Sequence, residues 1–467
     1  VTPLWTSAEI AAATGGTASA DFNVSGVAFD SREIIGGELF IALKGEATDG
    51  HRFVGQAMAR DAAGLLVSEA SDAPHVRVAD TMAALEALAA AARDRAPALR
   101  IGVTGSVGKT GVKEAIRLAL QRAAPDAVHW SVKSYNNHTG VPLSLARMPR
   151  ETRFGVFEMG MNHAGELTAL SALVRPDVAL ITWVASAHRE FFDSEADIAR
   201  AKAEIFTGLT PGGTAIVPLD NLHAPLLLAS PRPPGTRVVT FGFSPQADVH
   251  AESFALEPDG STLTARVGAH RVTCRIGMAG RHWVSNALAV LAAVDAAGGD
   301  LAMAGLALAE LSDLPGRGQR FRTPVGDGQA IVIDESYNAN PASMAASLAV
   351  LGDVVPAGQG RRLAVLGEML ELGDLSDAFH AELAPHVVAA KAEAIILVGN
   401  AIKALAAALP SGLDVRHVSD AAAARAEVDR LLRPDDVLLV KGSNSVRLGD
   451  LVAALRTRTA DRREERA

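Results

Sequence analysis

The stretch with the clearest chemical potential is Gly105-Ser106-Val107-Gly108-Lys109-Thr110-Gly111, between the apolar run Ile101-Gly102-Val103-Thr104 and a helical pattern over 112–122. Glycine lets backbone N–H groups close around phosphate oxygens, and the helix that follows adds the positive end of its dipole. Lys109 is placed to reach terminal phosphates and the Thr110 hydroxyl to hold Mg²⁺. The spacing departs from the common Gly-x4-Gly-Lys loop: Gly105 stands three residues before Gly108, and Gly102 stands six before it. A strand before and a helix after still favour ATP binding over an ordinary glycine turn.

Other polar residues gather where apolar runs end. Asn136 and Asn137 lie in Lys133-Ser134-Tyr135-Asn136-Asn137-His138-Thr139-Gly140-Val141-Pro142, a stretch too dense in amides to read as core. Glu158 closes the apolar run Phe154-Gly155-Val156-Phe157, at the edge where open α/β sheets bind ligands. It is a candidate metal carboxylate; the plain alternative is a solvated loop charge. His188 follows the apolar run 176–184 in the same way. Lys202, at helical spacing among Ile198, Ala201, Ile205 and Phe206, reads on composition alone as a surface charge. Asn286 sits on the first turns of a long Ala/Leu/Val helix opened by Gly280-Arg281-His282-Trp283, available to an adenine edge or merely to water. Near the N-terminus, Ser31, Arg32, Lys44 and His51 could read an anionic or sugar ligand, although turn and surface roles explain them as well.

These residues need a scaffold of alternating strands and helices. With 467 residues the chain exceeds one core, and 49% hydrophobic content makes it globular. Breaks at Ala96-Pro97 and Leu314-Pro315-Gly316 divide it into 1–98, 99–313 and 314–467. Residues 99–313 predict a parallel sheet with helices on both faces, and 247–277 a small antiparallel patch. In the last part, four apolar strands enter polar loops at Glu335-Ser336, Gly367-Glu368, about residue 399, and Lys441-Gly442-Ser443. The net charge of −9 argues against a nucleic-acid partner. The single Cys274 excludes an intrachain disulfide and reads as core filler in a strand, which fits a reducing cytoplasm. No signal pattern opens the chain and no run approaches a bilayer span, so a cytoplasmic protein, taken as a monomer, is expected.

In this order the motifs resemble the Mur ligase family, ATP-dependent amide-forming enzymes of peptidoglycan synthesis. The resemblance rests on Gly105–Thr110, Asn136-Asn137, Glu158-Met159-Gly160-Met161-Asn162-His163, Ala187-His188, Ala201-Lys202-Ala203-Glu204 and Gly280-Arg281-His282 with Asn286. It runs from Asp30-Ser31-Arg32 to Lys441-Gly442-Ser443. Within the family, Ser336-Tyr337-Asn338-Ala339-Asn340-Pro341 and Gly367-Glu368-Met369-Leu370-Glu371-Leu372-Gly373 look like the branch that adds D-alanyl-D-alanine. The fold implied is α/β in three domains: one for a UDP-MurNAc-tripeptide, a central P-loop parallel-sheet ATPase domain, and a Rossmann-like C-terminal α/β domain serving ATP and D-Ala-D-Ala.

The resemblance implies ATP and Mg²⁺ as cofactors and an acyl-phosphate intermediate. Gly105, Ser106, Val107, Gly108, Lys109 and Thr110 would cradle the phosphates, and Thr110, Glu158 and His188 would bind metal. Lys202 would carry a CO₂-derived carbamate that supplies a further oxygen ligand. His282 and Asn286 would hold adenine. Arg320, with Arg317 as runner-up, would meet phosphate, and Asp334 or Glu335 the ribose. Ser31, Arg32, Asn136, Asn137, Asn162 and His163 would border the first substrate; Asn338, Asn340, Lys441 and Ser443 would face the reacting end and the acceptor. Trp283, where the family often has Asn, and Arg189, where Leu often follows the histidine, depart from the pattern. A folylpolyglutamate-type ligase is the nearest rival, weakened by Asp30-Ser31-Arg32. A simple kinase or a non-catalytic binding protein leaves Lys202 and the 336–341 loop unexplained.

Overall fold

Near-continuous apolar runs build parallel sheets whose two faces are both covered, and three such sheets organise the chain. The computed structural model describes residues 2–45, 48–187, 189–311 and 314–464, with side chains to 458. The largest sheet has nine strands. From one edge to the other they are His270–Ile276, Gly260–Val267, Val249–Glu257, Arg237–Gly242, Thr214–Pro218, Val178–Ile181, Leu99–Thr104, Phe154–Glu158 and Val128–Trp130. The strands from Val128–Trp130 to Val249–Glu257 pair in parallel; the last two add antiparallel ribbons. The predicted antiparallel patch therefore continues the main sheet, because Phe241 and Gly242 pair with Val249 and His250.

Alternation along these strands separates two cores. Ile101, Val103, Val156 and Leu180 face the helices Lys109–Ala123 and Arg281–Ala296. Phe157, Ala179, Ile181 and Val217 face the other side with Ile198 and Phe206. Helix Lys109–Ala123 buries Val112, Ala115, Ile116, Ala119 and Leu120, an i, i+3, i+4 stripe. Arg281–Ala296 is buried nearly all round from Val284 to Val294, so it runs inside the domain.

The C-terminal part has a six-stranded sheet in the order Gln319–Val325, Gly328–Glu335, Val437–Lys441, Arg362–Gly367, Ala394–Val398, Asp414–Val418, parallel except for the first pair. The N-terminal part has a five-stranded sheet, and its strands Gly26–Ala28, Glu38–Ile41, Gly64–Val67 and His75–Arg77 pair in parallel. Helix Thr81–Arg95 packs against Gly140–Ala146, and the Trp5 indole donates to the Ala146 carbonyl at 2.9 Å. Leu143 and Ala146 thereby complete the N-terminal core around Leu85 and Leu88.

That helix corrects one expectation. The stretch that ends at Pro142 is polar only as far as Thr139; Gly140–Ala146 is a buried helix. Asn137 makes the change possible, since its Oδ1 accepts from the Gly140 N–H at 2.9 Å and satisfies a donor the helix leaves open.

Candidate active site

Strand Leu99–Thr104 lies between Phe154–Glu158 and Val178–Ile181, and all three run in the same direction. The chain leaves it first toward one edge and later returns to the other side, so a crevice opens at the strand ends. The glycine loop occupies this crevice. Gly105 has φ +153°, and a Cβ there would stand 1.9 Å from Thr182 Oγ1. Gly108 has φ +83°, and a Cβ there would stand 2.7 Å from Asn286 Oδ1. Neither position accepts a side chain. The Thr182 hydroxyl donates to the Val107 carbonyl at 2.5 Å, and the Ser106 hydroxyl donates to the Ala185 carbonyl at 2.9 Å. The neighbouring strand end thus sets the loop's shape. Lys109 folds back and donates to its own loop's Gly105 carbonyl at 2.6 Å.

Glu158 is opposite Val103 in register, which brings its carboxylate beside the loop. Thr110 Oγ1 donates to Glu158 Oε2 at 2.8 Å, and Asn136 Nδ2 donates to Oε1 at 2.7 Å. Glu158 is buried, so its polar oxygens depend on those donors.

Lys202 and Lys441 are buried around the same crevice, and Lys109 is half-buried beside them. Lys202 is 1% exposed, and its side chain makes no hydrogen bond among the described residues; burial, then the Lys109 charge, holds its ammonium well below the usual range. Burial also lowers Lys109, against the pull of Glu158, and the Arg317 charge lowers it further. Lys441 is 2% exposed, lowered by burial while Glu335, 3.6 Å away, opposes the shift. His282 is pushed down to about 4 by burial and then by the Lys441 charge. Desolvated cations with too few counter-charges form a site prepared for an anion.

The C-terminal sheet closes over this site. Asn340 Nδ2 donates to the Ser106 carbonyl at 3.4 Å, and the Glu190 N–H donates to the Glu371 carbonyl at 3.1 Å. Lys441 Nζ donates to the Asn338 carbonyl at 3.0 Å.

Residues 23–100 match the Mur ligase family, catalytic domain; 103–294 match the Mur ligase middle domain; 316–444 match the Mur ligase, glutamate ligase domain. The UDP-N-acetylmuramoyl-tripeptide--D-alanyl-D-alanine ligase of Escherichia coli (strain K12) is 36% identical over 446 residues, 93% of this chain and 94% of its own. The chain belongs to the Mur ligase family. The enzyme of the same name from Synechocystis sp. (strain ATCC 27184 / PCC 6803 / Kazusa) is 35% identical, covering 94% of this chain and 93% of its own. Crystal structure I of MurF from Acinetobacter baumannii superposes with a TM-score of 0.84 at 30% identity, over 97% of this chain and 98% of that one. This Mur ligase is MurF-like and has the three-domain α/β fold of those structures.

Other positions expected from the sequence fall as follows in this Mur ligase. His188 lies outside the described residues. Asp334 is buried and saturated: Oδ1 accepts from the Ser336 hydroxyl at 2.7 Å and Oδ2 from the Gly316 N–H at 3.1 Å. Glu335 instead faces Lys441 and Arg317, and its carboxyl is raised by burial. Arg320 is held by the Pro258 carbonyl, whereas Arg317 stacks on the Tyr337 ring at 4.2 Å. Ser443 is structural in this state, accepting from the Leu370 N–H at 3.0 Å. Asn340 caps helix Pro341–Asp353 through the Ser343 N–H at 2.9 Å.

Asn162 and His163 are exposed beside Glu166, with the His163 ring 4.6 Å from Phe191. Trp283 packs over Gly111 in the core. In the N-terminal sheet, Ser31 donates to Gln56 at 2.9 Å, and exposed Arg32 pairs with Asp30 at 2.7 Å. Lys44 pairs with Glu69 at 3.2 Å and His51 with Asp49 at 2.6 Å. Cys274 is buried, and burial pushes its thiol up to about 11. No helix among the described residues is long and apolar enough to cross a membrane.

Proposed function

We propose that this Mur ligase joins D-alanyl-D-alanine to UDP-N-acetylmuramoyl-tripeptide, using ATP to activate the tripeptide's terminal carboxylate. The crevice lysines carry the reading: a triphosphate and a carboxylate supply the negative charge that half-buried Lys109 and buried Lys441 lack. Relatives more than 30% identical over nearly their whole length bear the name of this reaction.

A carboxylate resists an amine until its oxygen leaves as phosphate. Transfer of the γ-phosphoryl group to that oxygen gives an acyl phosphate and ADP. The D-Ala-D-Ala amine then adds to the acyl carbon, loses a proton, and the tetrahedral species collapses to amide and inorganic phosphate. Phosphoryl transfer needs chiefly positioning and charge neutralisation. Lys109 leaves the Gly105 carbonyl to meet the phosphates, while the N–H groups of residues 105–110 surround them.

The Thr110 hydroxyl and the Glu158 carboxylate, already 2.8 Å apart, are hard oxygen donors that suit Mg²⁺. When bound, that ion neutralises charge on the phosphate oxygens; His188 belongs to the same set in this reading. Burial disfavours the charged form of Lys202, which favours its reaction with CO₂, and the carbamate would add an anionic oxygen. His282 and Asn286 border the adenine. Arg317, whose charge reaches Lys109, takes the phosphate ahead of Arg320, and of the two carboxylates open to the ribose Glu335 takes it, since Asp334 is saturated.

Residues 1–98 take the UDP-sugar through Ser31 and Arg32, 99–313 bind ATP, and 314–467 bring Asn338, Asn340 and Lys441 to the reacting end. A single chain acting in the cytoplasm suffices for this scheme. Phosphate release from ATP is measured with UDP-MurNAc-tripeptide, with and without D-Ala-D-Ala. Release that depends on the acceptor supports the reading, and its absence overturns it.

A further inference from the structure

Lys113 is 0% exposed, one helical turn past Thr110 on Lys109–Ala123, in a place where a lysine would ordinarily reach water. Its ammonium donates to the Ser131 carbonyl at 2.7 Å, to Glu114 Oε1 at 2.5 Å and to the Lys133 carbonyl at 3.5 Å. An ammonium has three protons, and all three are directed at acceptors. Two of those acceptors belong to the segment that carries Asn136.

The same segment is gripped from the other side. Glu33, in the turn Ser31–Glu33 of the N-terminal domain, accepts from Lys133, from the Tyr135 hydroxyl at 2.5 Å and from Arg147 at 3.2 Å. Burial works against the Glu33 charge, but these donors outweigh it and hold the carboxyl below its usual value. Burial, reinforced by Glu33, pushes the Tyr135 hydroxyl up to about 12, so it stays a donor. At Lys133, φ is +53°, a left-handed turn that sends the side chain to Glu33 and the carbonyl toward Lys113.

A closed circuit results. Thr110 and Lys113 share one helix; Lys113 holds residues 131 and 133; Asn136 donates to Glu158; Thr110 donates to the other oxygen of Glu158. Ser131 also accepts from the Glu158 N–H at 3.3 Å. We propose that Lys113 and Glu33 are positioning residues that clamp segment 131–136 from opposite sides, so that Asn136 keeps Glu158 oriented for the metal-bound phosphate. The clamp makes the phosphate site sensitive to the N-terminal turn that bears Ser31 and Arg32. It rests on the role given above to Glu158.

The test uses the full chain and two readouts that need neither the tripeptide nor the acceptor. Calorimetry gives ADP affinity with and without Mg²⁺, and amide hydrogen exchange is followed at 134–137 in the free protein. Lys113→Met and Glu33→Gln each leave metal-free ADP affinity unchanged, cut the gain from Mg²⁺ by about tenfold and speed exchange in the segment. The combined variant loses no more than the worse single one, because both act through one segment.

An unchanged Mg²⁺ gain in folded Glu33→Gln overturns the proposal. So do losses that multiply in the combined variant, or a parent chain in which Mg²⁺ adds nothing. Should Lys113→Met not fold, Glu33→Gln and Lys133→Ala, both altering the outer grip, decide by the same readouts. Acceptor-dependent phosphate release by the parent chain tests the reaction separately, so either idea can fail alone.

Discussion

The side-chain amide of Asn340 donates to the Ser106 carbonyl at 3.4 Å, tying the start of a C-terminal-domain helix to the glycine loop of the central domain. The same side chain caps its helix through Ser343. One residue therefore reports both local helix stability and closure over the nucleotide.

Asn340→Ala is expected to lose about 1 kcal/mol of stability as a cap and to weaken ATP binding roughly fivefold by freeing the domain. Thermal melts and ATP titrations check the two effects. Asn340→Asp keeps the cap, so it restores the melt without restoring ATP affinity.

Lys109→Met is expected to lower acceptor-dependent phosphate release by at least about 100-fold. The melting temperature holds or rises, because a partly desolvated, undercompensated cation is removed. A variant that both unfolds and loses activity would point to a structural lysine instead.

Gly108→Ala meets two obstacles: φ of +83° and an approach of 2.7 Å to Asn286 Oδ1. A loss of about 1–3 kcal/mol in stability is expected, along with weaker nucleotide binding. Adding Asn286→Ala relieves only the collision, so recovery is partial. Full recovery would remove the backbone argument.

His129 donates its Nε2 proton to the Ser144 carbonyl at 2.6 Å, and burial lowers it from 6.5 to about 4. Its folded value lies below its unfolded value, so the unfolded chain binds more protons between those limits. Its contribution is complete above pH 6.5 and lost as pH falls toward 4, on the order of 3 kcal/mol in all. His129→Gln should flatten the stability profile in that window, read by denaturant titration at several pH values. His282, also lowered to about 4, leaves a residual slope.

Lys202→Ala is expected to lose most activity, and excess bicarbonate should not restore it. A carbamate resonance after labelling with ¹³C-bicarbonate should appear in the parent and vanish in the variant. A parent without that resonance removes the carbamate from the scheme.

What the sequence discloses follows from how local its physics is. Gly108, Lys109 and Thr110 stand out as a glycine loop because strand, turn and helix are adjacent in the chain. Glu158 is legible because a carboxylate ending an apolar run must emerge at a sheet edge. Parallel sheets are readable from the runs themselves, as in Ala394–Val398. Lys113 is not, because a helical lysine reads as a surface residue until its neighbours in space are known. The Glu33–Lys133 pair is 100 residues apart, beyond any periodicity. Distance along the chain to Asp334 favours Arg320, but only the fold reveals that the Pro258 carbonyl engages Arg320 and that the Arg317 charge reaches Lys109. The amides of 136–139 conceal a buried helix because Asn137 is spent on its first turn.

The loop's three glycines answer to three different side chains, one at a strand end and two on the helix Arg281–Ala296. Thr182 crowds Gly105, Asn286 crowds Gly108, and the Trp283 ring would stand 2.6 Å from a Cβ on Gly111. A lineage that drifts at any one of these glycines must change a strand end or a long internal helix at the same time. The compact loop is therefore locked to its surroundings: a side chain at any of these glycines demands a second, distant change before the loop can keep its shape.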